Sequence, residues 1–464
     1  MRFSPEERQR IETDFSRHIN AGQVRYLKAG HLDVIECERE GIRFSDASSG
    51  RPMIDAFSSA GSFNVGRHNP DVLAALEQAL DDGLDLGTHH LPSPAKLALA
   101  RKLVDVAPGD LNHVLFASGG GDAVDGAIKL ARGATGRPGV VATVKAYHGH
   151  TGFALSANGK EHYRRYFEPL MPGFEFAAFN DLAAMRHAVS ERTAAIIIEP
   201  IQGEAGIFVG DEEYLRGLRT LCDELGIVLI FDEIQTGFAR TGRMFACEHT
   251  GVVPDVMTVA KSLGGGLYAN AAILYRDVAV LADYVDSNPR FHPTSCGGSD
   301  LGCRASLAAI DFIERERLWE NAERQGARLK DALLALMRDN PKIIKEVRGL
   351  GLMVGLEYLH EFMGPMMSDA LARHSVFAAY SGNAPQVMRF MVPLTVSDAE
   401  MDRLIDSIRA AVGEMKRLLP LALPAARIPA VRRLLNSEQV QTGLFGMIRK
   451  AEDAVARLRG RRRP

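Results

Sequence analysis

The sequence predicts an α/β protein: a large domain built on a mostly parallel sheet covered by helices, joined to a smaller α+β domain. Three observations carry this. Short β-rich apolar runs recur at 113–118, 139–145, 194–199, 227–232 and 256–260. Two of the gaps, Asp122–Arg132 and Glu212–Leu225, hold helical patterns. Past residue 300 this alternation stops. Runs that are apolar on both faces suit a parallel sheet, because crossover helices cover it on both sides.

Taken in order, residues 1–54 lack the alternation and carry Gly-rich turns, and are expected to pack with the smaller domain. The large domain spans 55–335, ending in the largely helical pattern of Leu301–Met337. The smaller domain covers 336–420. It contains Val347–Glu357, a Gly-punctuated strand pair, and a helix over Asp398–Leu418. Pro420 and Pro424 mark a linker, since proline breaks a helix interior. Beyond it, 421–464 reads as a helical extension. Its basic run, Arg457, Arg459 and Arg461 to Arg463, is a solvated tail.

The 464 residues include 58 acidic and 55 basic side chains, a formal charge of −3. That balance offers no electrostatic reason for nucleic acid as a partner. The five cysteines, Cys37, Cys222, Cys247, Cys296 and Cys303, form no CxxC pair, so neither a disulfide framework nor a zinc site is indicated. The N-terminus is charged at once, and no apolar run nears the roughly 18 residues of a membrane helix. A cytoplasmic, reduced protein without membrane contact is expected.

In such sheets ligands sit beyond the C-terminal strand ends. Three segments there carry chemistry. Phe116-Ala-Ser-Gly-Gly-Gly-Asp-Ala-Val-Asp125 is a glycine loop between a strand and a helix. The N–H groups of Gly120 and Gly121 at the helix start can cradle a phosphate, or simply turn the chain. Phe231-Asp-Glu-Ile-Gln-Thr-Gly237 puts an acidic pair at a buried strand end. A carboxylate there needs a cation or a proton, or else caps a helix or binds a metal. No His/Cys cluster accompanies it, which disfavours a metal. Val259-Ala-Lys-Ser-Leu-Gly-Gly-Gly266 sets Lys261 directly after an apolar run. Such a lysine snorkels to water, or stays desolvated and forms a Schiff base.

A phosphate cradle, a buried carboxylate for a pyridinium nitrogen and a lysine past the next strand are together what pyridoxal 5′-phosphate requires. From about Asp55 to Leu394 the chain resembles the class III (ω-type) pyridoxal-phosphate aminotransferases, of fold type I. The residues that carry the resemblance are Gly61 and Gly66, Gly120–Asp122, Lys129-Leu-Ala-Arg132, Tyr147-His-Gly149, Glu199-Pro-Ile-Gln-Gly-Glu204, Asp232-Glu-Ile-Gln235, Lys261, Thr294 and Arg389, all in order.

The resemblance implies a role for each. Lys261 is to hold the cofactor as a Schiff base and shuttle a proton. Asp232 is to pair with the pyridine nitrogen, and Tyr147 to stack on the ring, with His148 beside it among the cofactor contacts. Gln235 is to bond the ring hydroxyl, while Gly120 and Gly121 bind the phosphate. Thr294 is to reach that phosphate from the other subunit, which implies a homodimer with shared sites. Glu204 is the family's switch glutamate and Arg389 its arginine partner, paired for an ω-amine and separated for the α-carboxylate of a 2-oxo acid.

Three positions depart from the pattern. Gly121 stands where Ser or Thr is usual, so one phosphate hydroxyl is missing. His150 stands where ornithine-type members have arginine, and Ala60 where they have tyrosine. All line the substrate side, except Gly121, and they argue against a plain ornithine or acetylornithine aminotransferase. The expected reaction is transamination of a terminal amine to an aldehyde, with 2-oxoglutarate or pyruvate as acceptor. Two alternatives stand beside it: an aminomutase of the glutamate-semialdehyde type, and a non-catalytic protein that binds a phosphate ligand.

Overall fold

The computed structural model describes residues 2–29, 32–88 and 90–426. Three N-terminal strands, β1 (Glu36–Glu40), β2 (Arg43–Asp46) and β3 (Pro52–Asp55), form antiparallel neighbours. The central strands follow: β4 (His113–Ala117), β5 (Gly139–Thr143), β6 (Phe174–Ala177) and β7 (Thr193–Ile198). A short hairpin, β8 (Ile201–Gln202) and β9 (Phe208–Val209), precedes β10 (Val228–Asp232), β11 (Val256–Val259) and β12 (Ala271–Tyr275). The C-terminal strands are β13 (Ile344–Leu350), β14 (Met353–Tyr358), β15 (Val376–Phe377), β16 (Ala379–Tyr380) and β17 (Val387–Phe390).

The central sheet has seven strands in the order β4-β12-β11-β10-β7-β5-β6. All neighbours are parallel except at β12, which runs antiparallel to both β4 and β11. Because β12 reverses between them, β4 and β11 point the same way, and six strands end on one edge. Alternate residues serve opposite faces, as a pleat demands. Ala195, Ile197, Val228 and Ile230 meet Val124, Ala127 and Ile128 of the helix Gly120–Thr135. Ile196, Ile198, Leu229 and Phe231 join the larger core with Leu215, Leu218 and Leu221 of the helix Glu212–Leu225. Each fully buried Ile, Leu or Phe among them contributes roughly 1.5–3 kcal/mol, so the middle of the sheet is the rigid part of the fold.

The five expected runs are all strands of this sheet. Two more, β6 and β12, were not anticipated. Both are short, and β12 enters antiparallel after only one 3-10 turn, Lys261–Gly264, so the strand–helix rhythm does not announce it. The N-terminal segment also holds strands: β3 pairs in parallel with β15. A third sheet, β13-β14-β17-β16, is antiparallel and carries Arg389 on β17 opposite Gly355. The long helical pattern after residue 300 divides into Asp300–Arg315 and Leu318–Asp339.

One expectation is corrected. Pro420 and Pro424 do not form a linker, because the helix that begins at Asp398 runs through both to Ala426. Each proline removes one i→i−4 bond, and spaced four apart among Leu and Ala they leave the intervening residues in good helix-forming company. The boundary at 420 therefore falls inside a helix. The rest of the extension, including the basic run, lies outside the described residues.

Two buried polar groups tie the layers. The Arg240 guanidinium donates to the carbonyls of Leu352 (2.9 Å) and Val392 (2.5 Å) and to Asn64 Oδ1. Asn64 Nδ2 in turn donates to the carbonyl of Phe238 at 2.7 Å. The loop after β10, the turn after β3 and two ends of the small sheet thus meet around one cation.

Candidate active site

The loops leaving β4, β5, β7, β10 and β11 converge on a cavity of about 690 Å³. This is where the C-terminal ends of parallel strands place ligands. Lys261, Asp232, Gln235, Tyr147, His148, His150, Gly120, Gly121, Glu204 and Ala60 all line it. Arg389 and Thr294 do not.

At the β4 end the helix starts directly, at Gly120. The first N–H groups of a helix have no intrahelical acceptor and sit at its positive pole. Gly120 and Gly121 therefore offer free donors to an anion. Asp122 Oδ2 accepts the Ser118 N–H at 2.9 Å and fixes the turn. A Cβ on Gly121 would lie 2.9 Å from Thr151 Oγ1. The glycine that departs from the family pattern thus stands where Thr151 has taken the room.

Asp232 ends β10 and is buried. Its Oδ1 accepts from the Ile234 N–H (3.1 Å) and Thr258 Oγ1 (3.3 Å), while Oδ2 meets His148 Nδ1 at 2.7 Å. His148 is thereby a partner of Asp232 as well as a wall residue. Burial alone would lower its pKa, but the hydrogen bond and charge of Asp232 outweigh that and raise it. Its Nε2 is buried with no protein partner.

Lys261 follows β11 with φ +48°, a left-handed conformation that a lysine holds only under constraint. Burial lowers its pKa, against the pull of Asp232, Glu204 and Glu199. That is the condition for an amine nucleophile. Gln235 Oε1 is buried without a partner. Gly203 makes room for it, since a Cβ there would come within 1.8 Å. Free amides at a helix start, an unpartnered Gln235 oxygen, a buried carboxylate and a desolvated lysine on one cavity fit the phosphate, hydroxyl, ring nitrogen and aldehyde of pyridoxal phosphate.

On the substrate side, Arg389 pairs with Glu204 by an ion pair across two sheets. Glu204 Oε2 also accepts the Gly382 N–H at 3.2 Å. Burial would raise the Glu204 pKa, but Arg389 and that amide hold it below the usual range. The Arg389 guanidinium stands 5.2 Å from the Phe57 ring centre. Ala60 sits in Ser58-Ser59-Ala60, three residues at φ +56°, +47° and +57°. Asp55 Oδ1 holds this turn by accepting from Ser58 N–H (2.6 Å) and Phe57 N–H (3.1 Å). His150 packs edge-on against Tyr147, their ring centres 5.5 Å apart.

Thr294 lies off the cavity, its hydroxyl against that of Ser118. Among wall residues without an assigned role in the sequence are Tyr163 and Glu199. Tyr163 stacks obliquely on Tyr147 at 5.4 Å and comes from a four-residue helix, Glu161–Arg164, with no local signal. Glu199 was visible only as the first letter of a motif. No group of three or more His, Cys, Asp or Glu among the described residues could hold a metal ion. No described helix is long and apolar enough to cross a membrane.

The family model for class III aminotransferases matches residues 28–412. An uncharacterized aminotransferase of Archaeoglobus fulgidus is 38% identical over 398 residues, covering 86% of this chain and 92% of that protein. Among solved structures, an ornithine aminotransferase from Toxoplasma gondii is 28% identical, with a TM-score of 0.78 over 83% of this chain and 92% of that one. An (S)-enantioselective ω-transaminase from Thermomicrobium roseum is 29% identical, with a TM-score of 0.76 over 82% and 92%. An amine transaminase from an uncultivated Pseudomonas species, solved with pyridoxal phosphate bound, is 28% identical, with a TM-score of 0.75 over 83% and 96%. The chain belongs to the class III aminotransferases and is a pyridoxal 5′-phosphate-dependent transaminase of fold type I.

Proposed function

We propose that this transaminase takes nitrogen from a terminal (ω) amine and delivers it to a 2-oxo acid, 2-oxoglutarate or pyruvate. The Glu204–Arg389 pair carries the reading. One pocket must take an amine that lacks an α-carboxylate and then an acid that has one. A free guanidinium beside the amine would be a buried, unpaired charge, and Glu204 removes that cost. Release of the pair gives the carboxylate a two-pronged cation.

Bound pyridoxal phosphate supplies the electron sink and the carbonyl that exchanges nitrogen. The residues do the rest. Lys261 holds the cofactor covalently and carries the proton to and from the substrate carbon. Asp232, braced by His148, holds a proton on the ring nitrogen. Tyr147 covers the ring, Gln235 bonds its hydroxyl, and Gly120 and Gly121 bind the phosphate. The substrate sits between the large unit, 55–335, and the small unit, 336–420, with Ala60 and His150 shaping its space.

The same reading makes the enzyme a cytoplasmic homodimer whose Thr294 serves the partner's phosphate. Leu80, Leu86, Leu91 and Leu97 are 47–62% exposed, apolar side chains that cover by a second copy would bury. The test of the switch is single-turnover absorbance with each substrate alone. Arg389→Ala should slow the 2-oxo acid half-reaction about tenfold to a hundredfold, the worth of a charge-assisted bond pair, and leave the amine half-reaction nearly intact. Equal slowing of both would make Arg389 structural.

A further inference from the structure

Glu199 has no task in the scheme above, although it is a carboxylate 5% exposed on the wall of the cavity. No lysine or arginine forms a salt bridge with it among the described residues. An isolated buried carboxylate is costly, so something must hold it there. Its two oxygens go to different places. Oε1 accepts the backbone N–H of Tyr147 at 3.0 Å, and Oε2 accepts that of Gly203 at 2.9 Å. Tyr147 belongs to the loop after β5, and Gly203 immediately precedes Glu204.

We propose that Glu199 is a positioning residue that sets the cofactor face and the substrate switch from one anchor. One oxygen fixes Tyr147, which covers the ring; the other fixes the backbone from which Glu204 reaches Arg389. The inference rests on the roles proposed above for Tyr147 and Glu204. Both N–H groups need an acceptor, and a carboxylate is the side-chain group with an acceptor to spare for each and no competing donor. Burial raises the Glu199 pKa to about 7, with Asp232 adding to the rise and His148 and the two amides opposing it. Lys261 also feels its charge. Apolar replacement would spare that burial, so retention of the charge is explained by the two bonds it makes.

The test uses the holoenzyme with Glu199→Gln and Glu199→Asp. Glutamine keeps the shape but turns an N–H₂ toward one of the amides. Aspartate keeps the charge but is one methylene too short to span both. Two readouts are taken: the visible circular dichroism of the bound cofactor, which reports how the ring is held, and the ratio of single-turnover rates with amine and with 2-oxo acid. Both variants should lose dichroic intensity and shift the rate ratio about tenfold, the scale of one charge-assisted bond. An unchanged band, or equal slowing of both half-reactions, overturns the proposal. Rescue by aspartate also overturns it, since charge alone would then suffice. Arg389→Ala, run alongside, separates the two readings: if it slows both half-reactions equally the switch has failed, and the dichroic band alone decides for Glu199. Should neither variant fold, amide exchange in the wild-type holoenzyme decides. The Tyr147 and Gly203 amides share one side chain and must open together; independent opening overturns the proposal.

Discussion

The two halves of the cavity are built differently. Every contact assigned to the cofactor within this chain comes from one sheet: Gly120 and Gly121 after β4, Tyr147 and His148 after β5, Asp232 at the end of β10 with Gln235 after it, and Lys261 after β11. The substrate half is assembled from separate segments. Ala60 comes from a left-handed turn after β3 and Glu204 from the loop after β8, while Arg389, off the cavity wall, pairs with Glu204 from the small sheet. A single rigid sheet holds the first half, and hydrogen bonds between separate pieces hold the second. Damage to the first should abolish chemistry; damage to the second should change which substrate is handled.

The sharpest break is Lys261→Ala. On the roles proposed above it removes both the covalent anchor and the proton carrier, and a positioned acid–base alone is worth about 10²–10⁴-fold. Turnover with any amine should fall by at least that factor, with the far-UV spectrum unchanged because the side chain is at the cavity rather than in the core. Substantial turnover in this variant, measured with a coupled aldehyde assay, would erase the distinction between the halves.

The contrast also explains what was legible in the sequence. Cofactor residues sit immediately after apolar runs, so strand periodicity alone points at Asp232 and Lys261, and glycines flag the helix start at 120. Ala60 and Arg389 have no such flag. Arg389 lies inside an all-buried strand, Val387–Phe390, and only the resemblance to a family gives it a role. Tyr163 comes from a four-residue helix and meets Tyr147 only through tertiary packing. β12 escaped notice because it breaks the strand–helix rhythm. The proline linker failed because proline statistics describe single sites, whereas the Leu- and Ala-rich helix from Asp398 carries its own propensity past them.

Asp232→Asn tests the cofactor half more finely. The shape is kept but the charge on His148 and the ring nitrogen is lost. Removing one partner of a buried pair costs about 3–5 kcal/mol, so a drop in kcat of roughly 10²–10⁴-fold is expected. A stability signature accompanies it. In the wild type Asp232 raises the His148 pKa above its ordinary 6.5. A raised histidine adds stability that is fully present below pH 6.5 and is lost as pH rises through the folded value. In the variant burial is opposed only by the charge of Glu199, so that pKa falls. The wild-type advantage in urea melts should therefore be largest near pH 6 and smaller at pH 9. A difference that is flat with pH would mean His148 stays neutral beside Asp232.

The smallest expected effect on chemistry comes from the joint between the halves, Arg240. Its guanidinium is fully buried and serves the carbonyls of Leu352 and Val392 together with Asn64. Val392 lies three residues beyond Arg389, so this cation fixes the end of the strand that carries the carboxylate partner proposed above. Burial pushes its pKa down to about 9, with Asp55 opposing, and it stays charged at neutral pH. Arg240→Met fills similar volume but leaves three acceptors without a donor. Each unsatisfied group costs about 1–3 kcal/mol, so a loss of at least roughly 3 kcal/mol in stability is expected, read as a lower urea midpoint. No atom of Arg240 is placed on the cavity wall. At temperatures where the variant is folded, the amine half-reaction should change less than about threefold, while the 2-oxo acid half-reaction, which depends on where Arg389 stands, should fall up to about tenfold. Equal small losses in both would place the joint outside the switch; a selective loss in the amine half-reaction would reverse the assignment of the two halves.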